Sequence, residues 1–436
     1  MNKVLEKTRE SQNSSFSMAS ISTFEKNASL ESIAKNIWAR RMEILEANKS
    51  DLENADVLLS KGEITKAIYS RLSLNESKIV NICDMVRTVA ELPDPVGETL
   101  YSMELDYGLN LYRVTSPIGV IGFIFESRPD ALVQIASLCL KSGNSCLLKG
   151  GSESQNSNRI LFEVIREATS SLPGGWIQIL EAREDVRALL ELDEYVDLVI
   201  PRGSNDFVRY IQNNTRIPVL GHSEGVCNIY IDSEADHEMA VNICYDSKVQ
   251  YPAVCNAVDC VLIHVDIAEN VLPLLVDRLR DGGVSVRADP RVKDIVEEGV
   301  ESLTESDYGA EYLDYVIALR IVDNMDLAVE YINRFGSHHT DAIITMNNEN
   351  AMKFMQAVDS ASVFWNASTR FADGYRYGLG AEVGISTGKI HARGPTGLEG
   401  LVSYKYYLKG KGHIVSDYIN GENKQFKHIK TNDKWG

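Results

Sequence analysis

The sequence has seven cysteines among its 436 residues and no C-x-x-C pair. An odd set without that spacing argues against both a disulfide framework and a zinc site in a chain of this size. The cysteines are therefore expected as reduced thiols, most of them small core residues. Basic blocks are equally scarce, with only short pairs around Arg40-Arg41 and Lys409-Lys411 in a chain of formal charge -18. Nucleic acids and anionic membranes both select a basic footprint, so neither is an expected partner. No apolar run reaches the length of a membrane span, and "MNKVLEKTRESQNSSFSMAS" lacks an unbroken apolar h-region. A cytoplasmic location is expected. The G-x-G-x-x-G fingerprint is also missing, since Gly378, Gly380 and Gly384 have the wrong spacing and follow no strand-to-helix start.

What the chain does contain is an ordinary globular balance, 44% apolar and 24% charged, with room for two or three domains. The first ninety residues read as amphipathic helices, as in "SIAKNIWARRMEILEANKSDLENADVLL". "LDYGLNLYRVT", Leu105 to Thr115, has the alternation of a hairpin-like excursion. From Ile118 onward short apolar runs alternate with helical stretches, and the rhythm resumes after Ala257. That pattern predicts two α/β domains with doubly wound parallel sheets, divided near Gly221 to Gly225. The polar tail "NGENKQFKHIKTNDKWG" reads as surface or as a partner-facing arm.

Three stretches could carry chemistry. Gly221-His222-Ser223-Glu224-Gly225 matches the G-x-S-x-G elbow of serine hydrolases, which requires a strand-to-helix turn. The following "VCNIYID" reads as a strand, so a polar turn between domains is the competing interpretation. His264 and His391 would be available as triad partners but have no diagnostic setting. Cys255, in "YPAVCNA", lies just before a strand where a thiol can project from a turn; a core cysteine is the alternative. It has no adjacent Lys or Arg, so its activation would fall to backbone N–H groups and the fold. In "LLKGGSESQNSN", Lys149 and Ser152 follow a strand where an ammonium and backbone amides can hold a phosphate or ribose, unless this is a plain connecting loop.

Together, "PIGVIGFIFESRPDALVQIASLCLKSGNSCLLKGGSE", "LVIPRGS", "YPAVCNA", "YGAEYLD", "INRFGSHHTDAIIT", "VFWNASTRFADGYRYGLGAEVGIST" and "HARGPTGLEGLVSYKY" resemble the aldehyde dehydrogenase superfamily, in particular its γ-glutamyl phosphate reductase branch. The resemblance runs from about residue 30 to 413. It implies an aldehyde dehydrogenase-like α/β fold with two doubly wound parallel-sheet domains and a small β oligomerisation element. The implied cofactor-binding domain is 1–105 with 121–223 and about 365–392. The implied catalytic domain is 224–364, and 106–120 with 393–436 form the oligomerisation element and tail.

The same resemblance implies that Cys255 is the nucleophile, that Lys149 and Ser152 face the adenosine side of the cofactor, that Ser204 faces its pyrophosphate, and that Glu311 holds the nicotinamide ribose. Arg128 stands where aldehyde-oxidising relatives keep an oxyanion-hole Asn, and a guanidinium there suits a phosphate leaving group. A structural Arg bonded to Glu126 or to a domain partner is the alternative. Gly221 falls where those relatives carry a general base, although Glu224 could still reach the site. Asn366, Ser368, Thr369, Arg370 and Arg393 are candidates to hold the substrate's α-carboxylate and α-ammonium.

The implied reaction is NADPH-dependent reduction of L-glutamyl 5-phosphate, a small acyl phosphate, to glutamate 5-semialdehyde, the second step of proline biosynthesis. NADPH over NADH is not decided by the residues. A homo-oligomer is expected, as is transient contact with a glutamate 5-kinase. The alternatives are an aldehyde dehydrogenase oxidising another semialdehyde, and a serine hydrolase using Ser223.

Overall fold

The computed structural model describes residues 2–64, 66–126, 128–203, 205–221, 224–296, 298–421 and 424–436. The chain forms two compact units, one of Met1–Leu220 with Leu379–Gly384 and Thr396–Gly436, the other of Gly221–Gly378 with Ile385–Pro395.

In the first unit, the helix Thr23–Ala39 starts at a capping box in which Ser22 and Glu25 satisfy each other's backbone amides. Its Leu30, Ile33, Ala34 and Ile37 are buried at helical spacing, as are Ile79, Ile82, Val86 and Val89 on Glu76–Glu91, and these two helices pack together. A four-stranded parallel sheet follows in the order Ile177–Leu180, Ser145–Gly150, Val120–Phe125, Leu198–Arg202. All six residues of Val120–Phe125 are buried, which is why the run is apolar without alternation. The chain enters at this strand, moves outward over two strands and returns to its other side. The carboxyl ends of Val120–Phe125 and Leu198–Arg202 therefore form a topological switch point, where open α/β sheets bind ligands.

The expected hairpin starts at Thr99, earlier than the sequence indicated. Thr99–Asp106 pairs antiparallel with Leu109–Pro117 across Tyr107-Gly108, and Gly108 takes a left-handed φ of 75°. Val402–Lys409 and Ile429–Thr431 complete this four-stranded sheet. The tail is thus part of the sheet, with Trp435 stacked on Tyr407 at 4.5 Å.

The second unit is built on a seven-stranded parallel sheet, in the order Glu301–Ser302, Ser285–Ala288, Val316–Val322, Val258–His264, Cys227–Ile231, Thr340–Ile344, Ser362–Trp365. Its main core sets Ile229, Val261, Ile263, Leu319 and Ala342 against helix residues such as Val271, Leu275 and Leu279. Residues 365–378 and 385–392 lie in this unit, not with 1–105 and 121–223 as expected. The cause is pairing: Ser362–Trp365 extends the seven-stranded sheet, and the segment after it bonds to Asn256. Six cysteines are buried and Cys255 alone is half-buried, as thiols in a core should be. Among the described residues no helix is long and apolar enough to cross a membrane, and no His/Cys/Asp/Glu group could hold a metal ion.

Candidate active site

Four loops precede strands of the seven-stranded sheet and so share its amino edge. They carry Cys255 before Val258–His264, Gly225 before Cys227–Ile231, Glu311 before Val316–Val322, and His339 before Thr340–Ile344. The Cys255 loop is held from several directions. Thr369 Oγ1 donates to the Asn256 carbonyl at 2.7 Å, Asn256 Nδ2 donates to the Ala372 carbonyl at 2.8 Å, and the Cys227 thiol points at the Cys255 carbonyl at 3.2 Å. Gly225 presses on the same residue. A Cβ built there would stand 2.3 Å from Cys255 Cβ and 2.6 Å from its Cα, so a side chain at 225 would displace the thiol.

Beneath the loop, Lys248 and Asp259 form an ion pair at 3.5 Å with both side chains buried. Asp259 also accepts from the Tyr312 amide at 3.2 Å and the Cys227 amide at 3.4 Å. Burial pushes Asp259 up to about 7 against the pull of the ammonium, and burial lowers Lys248. One carboxylate thus ties the strand beside Cys255 to the loop that carries Glu311. The structure brings these two expected residues to one edge, although nothing in the local sequence marked Asp259, Lys248 or Gly225. Gly225 was visible only as the last letter of the hydrolase-like motif.

The other sequence candidates divide. Asn366, at φ 52°, follows Ser362–Trp365 on the opposite, carboxyl edge, and both ends of its amide are engaged by the Thr345 backbone at 2.9 Å. It braces the two neighbouring strands. Ser368 and Thr369 are also structural: Ser247 Oγ donates to Ser368 Oγ at 3.1 Å, and Thr369 is fully buried on Asn256. Arg370 is 7% exposed, donates from Nε to Gln250 Oε1 at 2.9 Å, and interacts electrostatically with Cys255. Arg393 is anchored through both terminal nitrogens on Asp359, at 3.0 Å to its carboxylate and 3.0 Å to its carbonyl.

The elbow interpretation fails on geometry. Only an isolated bridge, Val219 with Val199, precedes the motif, and the strand Cys227–Ile231 follows it where a hydrolase needs a helix. Ser223 itself lies outside the described residues, as does Ser204. His264 caps the helix Val265–Asp281 by accepting from the Asp266 amide, a structural task.

In the first unit, Lys149 ends the strand Ser145–Gly150, buried to 7% exposure, with its ammonium on the Gly150 carbonyl at 2.5 Å. Burial lowers its pKa, partly offset by Glu153 and Asp185. Ser152 is exposed two residues past the strand. The next helix, Gln155–Ala168, cannot offer its N-terminus to an anion, because Asp51 already accepts from the Asn156 and Ser157 amides at 3.1 and 2.8 Å. At the switch point, the Glu126 amide donates to the Arg202 carbonyl at 3.1 Å, and a Cβ on Gly203 would meet the Glu126 carboxylate at 2.8 Å. Arg128 opens the helix Pro129–Lys141 and pairs with Asp130 at 3.3 Å, both side chains part-exposed.

The aldehyde dehydrogenase family matches residues 4–294. The gamma-glutamyl phosphate reductase of Haloquadratum walsbyi is 53% identical over 99% of this chain and 96% of its own length. The chain belongs to the γ-glutamyl phosphate reductases of the aldehyde dehydrogenase family. That of Pelotomaculum thermopropionicum is 51% identical over 100% of this chain and 99% of its own. The crystal structure of the Thermotoga maritima γ-glutamyl phosphate reductase superposes with a TM-score of 0.91 at 40% identity, covering 94% of this chain and 99% of that one. The family is one of oxidoreductases that use a nicotinamide cofactor on small molecules. Its fold also extends to an acetylating aldehyde dehydrogenase from Geobacillus thermoglucosidasius, at 15% identity and a TM-score of 0.64.

Proposed function

We propose that the protein reduces L-glutamyl 5-phosphate to L-glutamate 5-semialdehyde and phosphate with NADPH, through a thioester on Cys255, in proline biosynthesis. The observation that carries this reading is the Cys255 turn: a half-buried thiol, braced by Thr369, Asn256 and Ala372 and packed on Gly225, at the edge that also bears Glu311. The Cys255 thiolate attacks the γ-carbonyl, and the Cys255 backbone amide meets the developing oxyanion. Arg128 would join that amide in holding the oxyanion, as its place at the relatives' oxyanion-hole position implies.

Phosphate leaves and the acyl group stays on sulfur. Lys149, Ser152, Ser204 and Glu311 would hold the cofactor, which when bound supplies the hydride that reduces the thioester. The thiohemiacetal on Cys255 then expels the product and restores the thiolate. Gly221 offers no carboxylate to activate water, which protects the thioester from hydrolysis. Arg393, fixed by Asp359, is the candidate for the substrate's far, α-carboxylate end. Residues 99–117 with 402–409 and 429–431 would assemble copies of the chain, and the enzyme would work in the cytoplasm, receiving its labile substrate from a glutamate 5-kinase.

Pyrroline-5-carboxylate with NADP⁺, with and without inorganic phosphate, tests the reading in reverse. NADPH formation should require phosphate, vanish in Cys255→Ala and survive Ser223→Ala. Cofactor reduction that ignores phosphate would instead identify an aldehyde-oxidising enzyme.

A further inference from the structure

We propose that Arg370 forms the phosphate subsite of the nucleophile loop, its guanidinium receiving the phosphate that departs from the acyl carbon as Cys255 attacks. The proposal rests on the acyl-phosphate reading above and gives Arg370 a place in it different from that of Arg393. Three observations carry it.

First, Arg370 is almost fully enclosed, yet among the described residues no carboxylate lies within ion-pair distance of it; the nearby Asp373 is paired with Arg376 at 3.8 Å. A buried guanidinium without a counter-ion is costly unless an anion meets it. Its own contact is to a neutral amide, that of Gln250.

Second, its position is set by the loop it serves. Thr369 before it and Ala372 after it both bond to Asn256, the residue next to Cys255. Burial is the main influence on its charge, followed by Arg376, Asp373, Cys255 and Asp246. The other buried cation beneath the loop, Lys248, is already answered by Asp259.

Third, the chemistry demands an anion site there. In the acylation step the Cys255 S–C bond forms, the C–O bond to phosphate breaks, and the electron pair remains on the phosphate oxygen; no oxidant or reductant is involved. The phosphorus is one oxygen away from the carbon under attack, so its site must adjoin Cys255. Arg393 sits on the Asp359 loop before Ser362–Trp365, three strands from the Val258–His264 strand that Cys255 precedes, roughly 14 Å at about 4.8 Å per strand. That separation is too great for Arg393 to meet a phosphate one oxygen away from the carbon under attack. A guanidinium also offers two parallel N–H groups to one phosphate, which an ammonium does not.

The test is protection of the Cys255 thiol in the full-length protein. Inorganic phosphate should slow carboxamidomethylation of Cys255 by iodoacetamide in the parent, and should have no effect in Arg370→Met. In the reverse reaction, Arg370→Met should raise the KM for phosphate by about tenfold or more, with the KM for pyrroline-5-carboxylate changed by less than about threefold. Arg370→Lys, which keeps the charge and loses the fork, should fall between parent and Met variant and decides the matter if the Met variant does not fold. Retained phosphate protection in a folded Arg370 variant overturns the proposal, as does a rise in the KM for pyrroline-5-carboxylate with that for phosphate unchanged. If the parent's own turnover is indifferent to phosphate, the acyl-phosphate reading fails, a result distinct from the loss of Arg370 alone.

Discussion

Replacing Gly225 by Ala puts one methyl group against Cys255, the proposed nucleophile. The added Cβ would lie 2.3 Å from Cys255 Cβ, 2.5 Å from its carbonyl oxygen and 2.6 Å from its Cα. Ordinary carbon contacts begin near 3.5 Å. The loop must therefore retreat by about 1 Å, and it has little freedom to do so evenly, because Asn256 is bonded on two sides and the Cys227 thiol abuts the Cys255 carbonyl. A misplacement of about 1 Å at a reacting centre costs on the order of 100-fold in rate, or about 2.7 kcal/mol in the barrier. Overpacking one methyl costs a further 1–3 kcal/mol or so of stability. Gly225→Ala should thus lower kcat by roughly 100-fold while the protein still melts cooperatively and still binds its cofactor. The assays are steady-state kinetics, the rate of iodoacetamide labelling of Cys255, and a thermal melt. Gly174→Ala is the control, since nothing lies within 4 Å of a Cβ there. A Gly225→Ala enzyme within about threefold of the parent would refute the claim that this contact positions the thiol.

The brace on the other side can be tested more gently. Thr369→Val keeps the shape but removes the donor to the Asn256 carbonyl, and should cost about 1–3 kcal/mol of stability with a fall in kcat, read by denaturant titration and kinetics. Lys149→Met should raise the KM for the nicotinamide cofactor by about tenfold and leave the labelling rate of Cys255 in the free enzyme unchanged; an altered labelling rate would contradict its assignment to the cofactor. Burial pushes Asp341 up to about 6, opposed by bonds from Ser360 and Asn228. Because this folded value lies above the unfolded one, the native state keeps a proton that the unfolded chain releases between about pH 4 and 6, and this group's contribution falls as pH rises through that window, by at most about 3 kcal/mol. Unfolding titrations of the parent and Asp341→Asn should show the parent losing more stability over that interval. A steeper loss in the variant would reverse the sign.

Much of this molecule is legible in its residue order. Apolar runs such as Val120–Phe125 and Val258–His264 have no alternation because both faces of a parallel strand are buried, and that alone indicates two doubly wound sheets. The strand after the G-x-S-x-G match was likewise enough to turn it away from a hydrolase. The long ordered matches around Cys255 indicated the family. These are features of local periodicity and of contiguous motif, which one stretch of chain expresses by itself.

What only the tertiary structure decided concerns partners far apart in sequence. "NASTRF" looks like one polar substrate-binding cluster, yet its members face different tasks. Asn366 closes onto Thr345 at the carboxyl edge, Thr369 reaches the carbonyl of Asn256, and Arg370 is left without a carboxylate partner among the described residues. Asp259 joins Lys248, Cys227 and Tyr312, and Gly225 meets Cys255 across a sheet edge. No periodicity encodes such contacts. They arise because parallel strands bring the starts of distant segments to one edge, and the unsatisfied backbone groups there must find whichever side chains the fold delivers.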